Sequence, residues 1–371
     1  MTDWFIGDLL TGRISTHLPV SKGSWSVEIN SAGKISVTLP LTDPDIRALN
    51  LRNVATVGKS FLGVSENGII LEAGPVWTHD YSKDDGTLTL NASGLWSYFD
   101  HRVLIPVLAA GQTPFDVDTY YENLSLTTIA RRLVAQAQAH TNGNVPVVLP
   151  PEVSGTETRE YQGADLQLVG DALSDLTAVE GGPEIDFLPR FKTDARYVEW
   201  VMRVGTPTSP MLAGPTTHVW DYGVGQTTIR GLNVKVDGSK LQGRGWGQGG
   251  SASDATMFSQ YTNTNLLTQG YALLELVDAS RNVDEQYQLD AYVRENARTG
   301  SKPIEFWDFQ VQADQSPRIG EFNKGDYCLV KMRGDLYVPN GEYRRRITNV
   351  SGDQDGRWVS VTTGELYSLT G

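Results

Sequence analysis

Glu184-Ile185-Asp186 is the pair of side chains here best placed for acid–base chemistry. Carboxylates at i and i+2 on a strand share one face, about 6.5–7 Å apart. Glycoside hydrolysis uses two carboxyl groups at roughly that spacing. No third acid follows, because position 189 is Pro and position 190 is Arg. The competing reading is a solvated strand face or an interface patch.

Other chemical motifs fall short. The run from Gly223 (Gly-Val-Gly-Gln-Thr-Thr) lacks the Lys and the glycine spacing of a phosphate loop. Residues 241–256 are rich in Gly and Ser but lack a βαβ context, so they read as a flexible loop that orders against a partner. The five histidines (His17, His79, His101, His140, His218) are scattered, none paired at i+2 or i+4, and no HExxH occurs. No Gly-x-Ser-x-Gly elbow is present. Cys328 sits in the apolar run Tyr-Cys-Leu-Val and reads as a small buried hydrophobe. Arg344, Arg345 and Arg346 would alternate in direction on a strand, as a solvated or intersubunit ion-pairing face. No catalytic, cofactor-binding or metal-binding residue is therefore expected, and no cofactor.

The elements around these residues read as β, then α+β, then β. Trp25, Val27 and Ile29, then Ile35, Val37 and Leu39, alternate on two arms of a hairpin. Further strands are predicted at 60–64, 68–73, 76–81 and 87–92, with Asn67-Gly68 and Asp84-Asp85-Gly86 as turns. At Leu126, Ile129, Ala130, Leu133, Val134 and Ala137 the period becomes helical, with Ser125 or Asn123 as N-cap. A second helix is predicted over 164–177 and strands over 184–187 and 197–204. Leu232, Val234 and Val236 alternate again. A helix over 284–297 and strands at 304–313, 327–333, 341–349 and 358–363 complete the chain.

Composition bounds the function. The chain has 371 residues, 39% of them hydrophobic, enough for packed cores and for two to four domains. Its net charge of -13 disfavours a general nucleic-acid binder. One cysteine can make neither an intramolecular disulfide nor a CxxC site. No apolar run reaches membrane-span length, so no membrane insertion is expected. Met1-Thr2-Asp3-Trp4 does not open a secretory signal, so synthesis in a bacterial cytoplasm is expected.

Four segments carry a resemblance in layout. They are the strand and exit Leu88-Thr-Leu-Asn-Ala-Ser-Gly-Leu-Trp-Ser-Tyr-Phe-Asp-His-Arg-Val103, and the helix over 126–139 with Ile-Ala-Arg-Arg-Leu-Val. The third is the helix over 166–176 followed by Gly181-Gly-Pro-Glu-Ile-Asp-Phe187. The last is the C-terminal block with Gly320-Glu-Phe-Asn-Lys-Gly-Asp-Tyr-Cys-Leu-Val330 and Arg346-Ile-Thr-Asn-Val350. The chain resembles the baseplate or tail hub proteins of long-tailed bacteriophages, which are minor tail proteins. It is also similar to the N-terminal structural part of tail-associated lysins, and no hydrolase module is expected in it.

The resemblance implies a mainly β fold with an α+β insert. Two tail-tube-like antiparallel β-barrels would span 1–115 and 226–371, with the peripheral α+β domain at 116–225. It also implies a non-enzymatic virion component at the tail tip or baseplate. A homotrimer would form a ring of six barrels, joining a sixfold tail tube or distal tail ring to threefold tip or fibre proteins. Partners would be the distal tail protein, the tape measure protein and tip or fibre proteins, with DNA only in transit through an acidic channel. The alternative is an all-β carbohydrate-binding or weakly hydrolytic protein using Glu184 and Asp186, with Trp246 for sugar stacking.

Overall fold

In a computed structural model, residues 2–223, 228–252, 255–278, 283 and 285–365 are described. The N-terminal part contributes β1 (Asp3–Asp8), β2 (Ile14–His17), β3 (Lys22–Glu28), β4 (Lys34–Pro40), the short helices α1 (Pro44–Ala48) and α2 (Leu51–Val54), β5 (Ser60–Glu66), β6 (Ile69–Ser82) and β7 (Thr87–Ser93). The middle holds α3 (Trp96–Phe99), β8 (Thr119–Leu124), α4 (Leu126–Gln138), β9 (Val147–Val148), β10 (Glu157–Tyr161), α5 (Val169–Thr177), β11 (Ile185–Phe191) and β12 (Val198–Val204). The rest is β13 (His218–Tyr222), β14 (Ile229–Asp237), β15 (Arg244–Ala252), β16 (Ala255–Thr262), α6 (Asn265–Thr268), β17 (Glu275–Asp278), α7 (Gln286–Thr299), β18 (Ile304–Gln312), β19 (Tyr327–Met332), β20 (Gly341–Asp353) and β21 (Trp358–Glu365). Strands hold 44% of the chain and helices 17%, so the fold is mainly β with large antiparallel sheets.

The expected hairpin forms as β3 and β4, with Trp25 opposite Ile35 and Trp25, Val27, Ile35, Val37 and Leu39 buried. The predicted strands at 68–73 and 76–81 are one strand, β6. Its first half pairs with β5 and its second with β7, and a register shift between Val76 and Thr78 marks the handover. Pro75, which has no N–H to donate, sits beside that handover.

The two β parts join. β3 pairs with β20, Val27 opposite Val350 and Trp25 opposite Gly352, so seven N-terminal and six C-terminal strands make one 13-stranded sheet. A Cβ at Gly352 would lie 2.9 Å from Trp25 Nε1, so glycine lets the indole cross the seam. One apolar core runs through both parts, from Trp4, Trp25 and Leu90 to Trp220, Phe309 and Val361. Among the C-terminal strands, β13 pairs in parallel with β19 and also lies against β14.

A second core lies under the α+β part. Ser125 caps α4 by accepting from Thr128 N–H, and Ile129, Ala130, Leu133, Val134 and Ala137 are buried as their spacing predicts. They pack with Leu173, Phe187 and Trp200, and with Phe5 and Phe61 from the N-terminal strands. β1 thus sends Trp4 and Ile6 to the first core and Phe5 to the second.

Residues 241–256 depart from expectation. They contain β15, the centre of a three-stranded sheet with β16 and β17, and not a flexible loop. Residues 253–254 of that tract lie outside the described residues. The glycines are small because α7 packs on them: a Cβ at Gly247 would stand 2.4 Å from Val293 Cγ2. The predicted C-terminal helix is α7, stopped at Gly300.

Candidate functional site

The two acids singled out by sequence meet basic side chains from distant segments. Glu184 precedes β11 and takes a bidentate ion pair from Arg346 on β20, with Arg346 Nη2 2.5 Å from Glu184 Oε2. The backbone N–H of Leu212 donates to the same carboxylate at 2.7 Å. Arg346 also donates to the carbonyls of Gly325 and Leu212. Asp186 is buried between Lys324 Nζ at 2.8 Å and Arg203 Nη2 at 2.6 Å. Burial alone would raise the Asp186 carboxyl, but the Lys324 ammonium and the Arg203 guanidinium outweigh it and hold it below the usual range. A carboxylate so held is a poor general acid, and neither group is left free for substrate.

A third carboxyl joins this seam. Glu72 on β6 is 3% exposed and accepts from Ala73 N–H at 2.9 Å. Burial pushes its carboxyl up to about 7, against the pull of Lys324 and the Ala73 N–H and with a further push from Asp186. A Cβ on Gly33 would fall 1.9 Å from Glu72 Oε2, so that carboxyl leaves room for nothing larger than glycine. Asp326 completes the seam, accepting from Gly214 N–H at 2.6 Å and lying 3.4 Å from His218 Nε2.

Chemically, the cluster ties the α+β part, the N-terminal sheet and the C-terminal strands together. Sequence reasoning found Glu184 and Asp186 but missed Glu72, Arg203 and Lys324; Lys324-Gly325-Asp326 before an apolar strand was the available signal. The arginine run is also not a solvated face. Arg345 is buried, pairs with Glu305 and stacks its guanidinium 4.0 Å from the Trp307 ring centre. Only Arg344 of the three is exposed.

The histidines stay apart. His17 pairs with Asp3, His101 stacks on Trp77, His140 bonds the Ile105 carbonyl and His218 faces Asp326. Among the described residues no group of three His, Cys, Asp or Glu could hold a metal ion. Cys328 is buried, and burial pushes its thiol up to about 12. Trp246 is partly exposed, with its indole N–H donating to Glu275 at 2.9 Å. Among the described residues no helix is long and apolar enough to cross a membrane.

No family model and no curated protein matches the chain in sequence. Solved structures do match its fold. The 43 kDa tail protein of prophage MuSo2 from Shewanella oneidensis superposes with a TM-score of 0.58 at 13% identity, over 98% of both chains. A tail protein from Neisseria meningitidis MC58 gives 0.56 at 14% identity, over 98% of this chain and 96% of that one. Prophage tail protein gp18 from Listeria monocytogenes EGD-e gives 0.53 at 12% identity, over 99% and 95%. The chain has the fold of these tail proteins. The match runs end to end, so the α+β part and the β15–β17 unit belong to that fold as much as the large sheet does.

Proposed function

We propose that this protein is a structural subunit of a phage tail tip or baseplate, a trimeric hub. The observation that carries this reading is the end-to-end fold match to a prophage tail protein, 98% of each chain. In this reading the lobes at 1–115 and 226–371 stand in a ring of six, with 116–225 at the periphery. The ring joins a sixfold tail tube or distal tail ring to threefold tip or fibre proteins. The distal tail protein, the tape measure protein and the tip or fibre proteins are its neighbours.

Three features support an assembly role over catalysis. Glu184 and Asp186 are committed to ion pairs. Phe115, Leu336 and Tyr337 are exposed large side chains of the kind that assembly covers. A net charge of -13 per subunit suits a channel wall along which DNA slides without sticking.

Mass photometry and electron microscopy test the reading, on the chain alone and co-expressed with its tail-tip neighbours. A threefold ring with six lobes is the expected result. A monomer in both samples overturns it.

A further inference from the structure

A large cavity outside the charge seam lies where α7 meets the α+β part. Three contacts hold its walls together: Tyr287 Oη donates to the Thr158 carbonyl at 3.2 Å, Tyr292 Oη to the Asp175 carbonyl at 3.1 Å, and Arg294 pairs with Glu180 at 3.0 Å. The cavity encloses about 1160 Å³. Glu157, Glu160, Asp165, Asp171, Asp175 and Glu285 line it, and among the described residues no Lys, Arg or His does. Arg159 approaches Glu157 only at 3.7 Å, and its guanidinium is turned to the carbonyl of Thr158.

A second observation points to a ligand. Tyr161 lines the same cavity and is 8% exposed, with its ring packed in the second core. Its hydroxyl makes no hydrogen bond with the described residues and opens onto the cavity. A ligand in the cleft can therefore reach it without displacing a protein partner. Tyr120 and Tyr287 stand at the rim, about half exposed, where their rings can cover the methylene stem of a lysine or stack on a guanidinium.

We propose that this cleft binds a lysine- or arginine-bearing polypeptide segment of a partner protein. Six carboxylates against one adjoining cation, Arg159, leave the described lining strongly negative, and Tyr161 supplies a hydrogen-bonding group at the cleft wall. The size favours an extended segment over a single ion, because a metal needs ligands converging on one point and none converge here among the described residues. Binding at this cleft is separate from the ring assembly proposed above and does not depend on it.

Isothermal titration with a capped peptide of alternating lysine and glycine tests this at low ionic strength. The cleft variant is Glu160→Gln/Asp165→Asn/Asp171→Asn, at exposed positions. The control, Asp45→Asn/Asp80→Asn/Asp84→Asn, removes the same charge elsewhere on the surface. The cleft variant should lose about tenfold in affinity and the control less than about twofold. Tyr161→Phe should weaken binding without any change in charge, and Glu285→Gln should do so from the opposite wall. Circular dichroism confirms that each variant is folded. Equal losses in both triple variants overturn the proposal in favour of the protein's general field. So does absence of peptide binding, including the case where calcium binds the cleft and the peptide does not.

Discussion

Lys324 Nζ lies 2.8 Å from Asp186 Oδ1, and both side chains are buried. Lys324 comes from the turn before β19 and Asp186 from β11 of the α+β part. Their pair joins segments that are far apart in the sequence, beside the buried carboxyl of Glu72.

Asp186→Asn should leave Lys324 and Arg203 facing a neutral group at this seam. Removing one partner of a buried ion pair costs about 3–5 kcal/mol. Urea unfolding should show a loss of that order. The double variant Asp186→Asn/Lys324→Met should recover much of it, since it removes the stranded ammonium.

Glu184→Gln should behave as a stability variant. It breaks the bidentate pair with Arg346 and weakens the bond from Leu212 N–H. Protease cleavage in the segment 206–214 should accelerate, read by mass spectrometry of early fragments. A loss of glycoside hydrolysis with unchanged stability would instead restore the enzymatic alternative.

Glu72 should make stability depend on pH. Its carboxyl is raised from an ordinary 4.5 to about 7 in the folded chain. Between those values the folded state holds a proton that the unfolded state has lost. Stability therefore falls as pH rises across that window and stays reduced above it. The full effect is about 3 kcal/mol. Glu72→Gln keeps an acceptor for Ala73 N–H but cannot ionise. Its melting temperature should exceed that of the wild type at about pH 8, with the gap closing towards about pH 5.

Cys328 should be inert to thiol reagents in the native protein. Burial pushes its thiol up to about 12, so almost no thiolate forms near neutrality. A disulfide reagent at about pH 8 should label it only after denaturant is added. Rapid labelling of native protein would show that the β13–β19 strands open.

Gly247→Val should separate α7 from β15. Its Cβ would stand 2.4 Å from Val293 Cγ2, and neither the strand nor the helix can yield that distance cheaply. Overpacking of this kind costs about 1–3 kcal/mol. Hydrogen exchange should show lost protection in α7 and β15 while the β3–β20 seam stays protected.

Much of the fold is legible in the sequence because half-buried elements carry a period. β3, β4 and α4 each expose one face, so apolar residues recur every second residue or at helical spacing. β1 shows no such alternation. It is buried on both faces, between two cores, and its run Trp4-Phe5-Ile6 reads as no particular element. The glycines of β15 look like a loop because the reason for their size, α7, lies some 40 residues further on.

The candidate site divides the same way. Sequence spacing alone marked Glu184 and Asp186 as neighbours, and composition alone made the chain acidic, with a single cysteine. Only the tertiary structure decided what those acids do. Their partners stand 162 positions away at Arg346 and 138 positions away at Lys324. No local pattern encodes a pairing over such a separation. It follows from the packing of the α+β part against the β sheet, where burial makes an unpaired charge so costly that each acid must meet a base.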